Sequence, residues 1–139
     1  MSDSFQILLA EDNPGDVRLF REALNSRDLR FEMVVAQDGE KAIAIVKSAS
    51  AGEIHLDLIV LDVNLPRHTG DEVLQCVRDQ SALGKIPVIM LTSSVSPIDR
   101  TKATWLGADL YIRKPSDLEE LFQIAKVIEE VLKPKQIPT

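Results

Sequence analysis

The sequence has little cysteine or histidine, no excess of positive charge and no long apolar run. A single cysteine, Cys76, stands in 139 residues, so no internal disulfide can form. It falls in a helical pattern, where packing is the ordinary use of a free thiol. The two histidines, His55 and His68, lack metal-ligand spacing and fit solvated loop positions. Sixteen lysines and arginines face 22 aspartates and glutamates, for a net charge of −6. That balance argues against a nucleic-acid surface, which is built on contacts to phosphate. No apolar run approaches a membrane span, and no signal peptide opens the chain. A cytoplasmic protein is the expectation. No repeat, low-complexity segment or linker breaks the chain, so residues 1–139 suit one domain. Its core should run from about residue 5 to 132, with a loose tail over 133–139.

What the chain does have is a series of short apolar runs that end in reactive residues. Leu58-Ile59-Val60-Leu61 is apolar throughout, as in a strand buried on both faces, and it stops at Asp62. Pro66 and Gly70 then take the chain away in a loop. Alone, this stretch fits either a polar strand terminator or a functional carboxylate. The first strand, Gln6 to Ala10, ends in Glu11-Asp12. The second, Phe31 to Ala36, leads to a turn at Asp38-Gly39 that starts a helix. The fourth, Val88 to Leu91, ends in Thr92-Ser93-Ser94, and the fifth, Leu110 to Ile112, leads into Arg113-Lys114-Pro115.

Helical patterns alternate with these strands. Asn13 and Pro14 suit the cap and first position of a helix that places Val17, Phe20 and Leu24 inward and Leu19 outward. Ala42, Ile45, Val46 and Ala49 give the second helix, and Val73, Leu74 and Val77 the third. Pro97 opens the fourth, and Leu118 to Leu132 is the last, capped by Ser116 or Asp117. Five short strands with helical crossovers imply a doubly wound α/β protein: a five-stranded parallel sheet with five helices. In the flavodoxin-like strand order the first and third strands meet at the switch point, where ligands bind. Glu11, Asp12 and Asp62 would then share one rim. Three carboxylates so placed need a proton or a cation. A hard divalent ion such as Mg2+ fits them, and solvated acids at loop starts are the alternative. Lys114 and Thr92 would add an ammonium and a hydroxyl for an anion. Together these groups suit phosphoryl transfer onto Asp62 as a nucleophile.

The set Glu11-Asp12, Asp62 to Pro66 with Gly70, Leu91 to Ser94, Gly107-Ala108 and Tyr111 to Pro115 resembles the receiver domain of two-component response regulators. The resemblance implies a flavodoxin-like receiver fold and a phosphoaccepting switch rather than a conventional enzyme. It implies that Asp62 takes phosphate from a histidine kinase, and that Glu11, Asp12, Asp62 and the Asn64 carbonyl hold Mg2+. It further implies that Lys114 and Thr92 contact the phosphoryl group and that Tyr111 turns inward as the switch. Asn64 and Ser94 would tune dephosphorylation, and the Lys114–Pro115 bond would be cis. The opening Glu11 to Asp16 and the expected lack of an output domain look like the stand-alone regulators of bacterial phytochromes.

Two other functions are weaker. Aspartate-nucleophile phosphatases of the haloacid dehalogenase type place an acid two residues after the nucleophile, where this chain has Asn64. A flavin-binding flavodoxin would need a Ser-, Thr- and Gly-rich loop after the first strand, where this chain has acids. Two surfaces complete the expectations. Leu19, beside the acid pair, would help dock the kinase. On the last helix, Leu118, Leu121, Phe122, Ala125, Ile128 and Leu132 form an expected core stripe. A second stripe, Ile124, Val127 and Val131, would be left for a homodimer with Trp105 and Tyr111 at its rim.

Overall fold

The computed structural model describes residues 4–93 and 97–133. Strands β1 (Phe5–Ala10), β2 (Phe31–Ala36), β3 (Leu58–Asp62), β4 (Val88–Thr92) and β5 (Leu110–Arg113) form one parallel sheet in the order β2-β1-β3-β4-β5. Helices α1 (Pro14–Asn25), α2 (Gly39–Ser50), α3 (Gly70–Asp79), α4 (Pro97–Leu106) and α5 (Leu118–Leu132) connect or follow them. A 3-10 turn at Ser81–Leu83 lies between α3 and β4.

Alternation along the strands divides the core in two. Leu8, Ala10, Ile59, Leu61, Val88 and Met90 pack against α2 and α3 through Ala42, Val46, Val73, Leu74 and Val77. Ile7, Leu9, Leu58, Val60, Ile89 and Leu91 pack against α1 and α5 through Phe20, Leu24, Leu121, Ile124 and Ile128. Every residue of β3 and β4 is buried. Burial on both faces explains why those two runs are apolar throughout.

The expected packing of α5 is corrected by this arrangement. Ile124, assigned to an exposed interface, is only 5 % exposed and belongs to the core, while Val127 and Val131 are half-buried. Leu118 and Phe122, assigned to the core, are 56 % and 44 % exposed. The apolar arc of α5 is wider than the face it can bury, and the helix centres that face on Leu121, Ile124, Ala125 and Ile128. The expected cis bond is also absent: no peptide among the described residues is cis, Lys114–Pro115 included.

Register carries the chemistry to one rim. Ala10 pairs with Leu61, Asp62 with Leu91 and Thr92 with Arg113. Glu11 therefore stands level with Asp62 at the carboxyl edge, with Thr92 one residue and Lys114 two residues further on. The chain past Asp62 turns tightly back on itself. A Cβ on Gly70 would lie 2.4 Å from the Asp62 carbonyl oxygen, so only glycine fits there without moving backbone.

Candidate functional site

Glu11 and Asp62 are held at the rim by backbone hydrogen bonds at their strand ends. Glu11 N–H donates to the Ala36 carbonyl at 2.9 Å, and its side chain is buried. Glu11 Oε2 accepts from the Asn13 N–H at 3.2 Å, which ties it to the start of α1. Asp62, also buried, accepts from the Asn64 N–H at 2.9 Å through Oδ1. Val63 N–H continues the sheet by donating to the Leu91 carbonyl at 2.9 Å. Asp12 is exposed. Oxygens of Glu11, Asp12 and Asp62 all lie within 4.8 Å of one another.

Lys114 crosses this cluster. Its Nζ is 2.7 Å from Glu11 Oε1 and 2.8 Å from Asp62 Oδ2, with Asp16 Oδ2 further off at 3.6 Å. The lysine is positioned by the end of β5, where its N–H donates to the Thr92 carbonyl at 2.6 Å. Burial works against the Lys114 charge. The hydrogen bonds and negative charges of Asp62 and Glu11 outweigh it and hold the pKa above the ordinary lysine value. Glu11 moves up as well. Burial is the main cause and the Asp62 charge adds to it, against the lowering effects of Lys114 and the Asn13 N–H. Thr92 is buried one strand away from Asp62.

These residues fit a divalent cation. Three carboxylates supply hard oxygen donors at mutual distances that one ion can span, and exposed Asp12 opens the site to water. Asn64 is exposed beside them, and its side chain is the one expected to tune hydrolysis. Ser94, its expected counterpart, lies outside the described residues.

Residues 7–126 match the response regulator receiver domain. The chain belongs to the response regulator receiver family. Response regulator Rcp1 of Synechocystis sp. is 34 % identical over 125 residues, covering 88 % of this chain and 85 % of that protein. Among solved structures, the phosphorylated cyanobacterial phytochrome response regulator RcpA is 37 % identical. It covers 98 % of this chain and 99 % of its own, with a TM-score of 0.85. The Mn2+-bound form of Rcp1 is 33 % identical, over 97 % of this chain and 99 % of that one, with a TM-score of 0.83. The bacteriophytochrome response regulator RtBRR is 34 % identical over 98 % of this chain and 82 % of its own, at a TM-score of 0.75. This receiver domain is thus a component of two-component signalling, homologous to phytochrome response regulators.

The receiver fold brings together Glu11, Asp12, Asp62 and Lys114 as the strand ends implied, with Thr92 on the adjoining strand. Tyr111 packs against the core on the α2–α3 side, and its hydroxyl is buried with no hydrogen-bond partner among the described residues. Two features went unread in the sequence. Asp16, an acid in the first turn of α1, also stands near Lys114. Leu118, taken as core, lines a cavity of about 290 Å³ together with Leu19, Phe20, Leu91 and Lys114. Only the rotation of α5 decides which flank of its apolar arc faces that cavity.

Proposed function

We propose that this receiver domain is a Mg2+-dependent phosphoacceptor whose nucleophile is Asp62 and whose donor is a phosphohistidine on a kinase. The observation that carries the reading is the Lys114 ammonium, held against both Asp62 and Glu11 within the cluster of three carboxylates. An Asp62 oxygen attacks phosphorus, and the P–N bond of the donor breaks. Its electron pair goes to the imidazole, which leaves and takes up a proton. Lys114 holds one oxygen of the transferred group and the Thr92 hydroxyl donates to another. Glu11, Asp12, Asp62 and the Asn64 carbonyl would hold the cation, which when bound would supply charge neutralisation for the transferring group. The phytochrome regulators among its relatives support a phytochrome-type histidine kinase as the donor. No helix among the described residues is long and apolar enough to cross a membrane, and we place the protein in the cytoplasm.

The kinase is proposed to seat on the apolar mouth formed by Leu19 and Leu118, 41 % and 56 % exposed. That mouth shares Lys114 with the acceptor site, so a segment presenting a histidine to Asp62 must cover it. One assay with two donors tests both roles. With a small phosphodonor and Mg2+, wild type gains acid-labile mass and Asp62→Asn does not; full labelling of that variant contradicts the assignment. Leu19→Glu should label normally from the small donor and at least about tenfold more slowly from the kinase, the equivalent of about 1.4 kcal/mol. Equal slowing of both reactions points to a damaged site.

Self-association is proposed on the side formed by α4, β5 and α5, with Trp105, expected at the rim, at its centre. Ile98 and Trp105, two turns apart on α4 and 80 % and 85 % exposed, supply the apolar surface that buried Ile124 cannot. Phosphorylation reaches this side through Thr92 and Tyr111: a new bond to Thr92 lets the tyrosine ring repack behind it. Sedimentation with and without phosphodonor should show wild type dimerising more strongly when phosphorylated. Trp105→Glu should stay monomeric, and Tyr111→Ala should accept phosphate without changing its association. A wild type that is monomeric at high micromolar concentration in both states ends the proposal.

A further inference from the structure

The loop between β3 and α3 is held in a backbone conformation that its own residues disfavour. Arg67 has a φ of +62° and His68 one of +125°, and neither is a glycine. Something outside the loop must hold it, and the start of α2 does. Gly39 N–H donates to the Pro66 carbonyl at 2.9 Å. The bare Cα of Gly39 also lies flat against His68. A Cβ there would stand 2.2 Å from the His68 carbonyl oxygen and 2.6 Å from the His68 Cβ. The ion pair from Arg67 to Glu40, 2.7 Å long, spans the same junction, but both side chains are largely exposed and contribute little. The glycine contact is the rigid one.

The other end of this loop belongs to the acceptor. Asn64 N–H donates to Asp62 Oδ1, Leu65 is buried in the core, and Gly70 closes against the Asp62 carbonyl. One residue separates Asn64 from Pro66. A displacement at Pro66 or His68 is therefore passed to the backbone beside the carboxylates. We propose that Gly39 is a positioning residue for the metal and phosphoacceptor site, acting through the β3–α3 loop. By leaving room for close backbone contact, it holds Asn64 where the site is complete. Any side chain at 39 meets backbone atoms of His68, so it is the loop that has to move. The inference rests on the reading of Glu11, Asp12 and Asp62 as a Mg2+ site.

Calorimetric Mg2+ titration of wild type, Gly39→Ala and Gly39→Ala/His68→Gly tests it, alongside thermal melting in chelator. Gly39→Ala should keep its secondary structure and bind Mg2+ about 10–100-fold more weakly, the usual loss when a group supporting the ligands is disturbed. Glycine at 68 removes the Cβ contact and tolerates the positive φ. The double variant should therefore regain thermal stability while Mg2+ binding stays weak, because the loop remains displaced. Should Gly39→Ala fail to fold, the double variant carries the same comparison with wild type. Wild-type Mg2+ affinity in either variant overturns the inference, including a double variant that recovers stability and affinity together. A wild type that binds no Mg2+ overturns the metal site and this inference with it.

Discussion

Glu11, Asp12 and Asp62 bring oxygens within 4.8 Å of one another, two of the three side chains being buried. Each such pair of charges at 4–5 Å costs about 3–4 kcal/mol at an effective dielectric near 20. Lys114 offsets that repulsion by bonding to Glu11 and Asp62 at once. A single ammonium leaves the cluster one or two negative charges in excess, an excess suited to a divalent cation. The same requirement explains the sheet. One lysine reaches two carboxylates only if β1, β3 and β5 end close together at the same edge, and the register ends them within a residue of Asp62.

The remaining parts of the receiver domain serve that rim. Full burial of β3 and β4 fixes the strand ends against rotation, and helices on both faces exclude water from beneath the site. Gly70 meets the loop after Asp62 at the Asp62 carbonyl and Gly39 meets it at His68, each by close backbone approach. The mouth at Leu19 and Leu118 shares Glu11 and Lys114 with that rim. The proposed acceptor and the proposed docking surface thus meet at one lysine.

Most of this was legible in the sequence because the informative residues are local. Apolar runs ending in Glu11-Asp12, Asp62, Thr92 and Lys114 mark strands and their functional ends without any knowledge of packing. The bounds of β2 and α5 are those the pattern implies. What was misread depends on contacts across the fold. The arc of α5 from Leu118 to Val131 is apolar on both flanks of its centre, so periodicity alone could not say that Ile124 is buried and Leu118 exposed. Asp38-Gly39 reads as a helix start, which it is. Its contact with His68, 29 residues later, leaves no local trace.

Mg2+ affinity of Lys114→Met, compared with wild type, tests the central claim most directly. If the lysine balances the carboxylates and shares Glu11 and Asp62 with the cation, its removal leaves them more negative. The variant should then bind Mg2+ at least as tightly as wild type and melt at lower temperature in chelator. Loss of Mg2+ binding in a folded Lys114→Met would contradict the account, because it would make the lysine a builder of the site instead of its counter-charge.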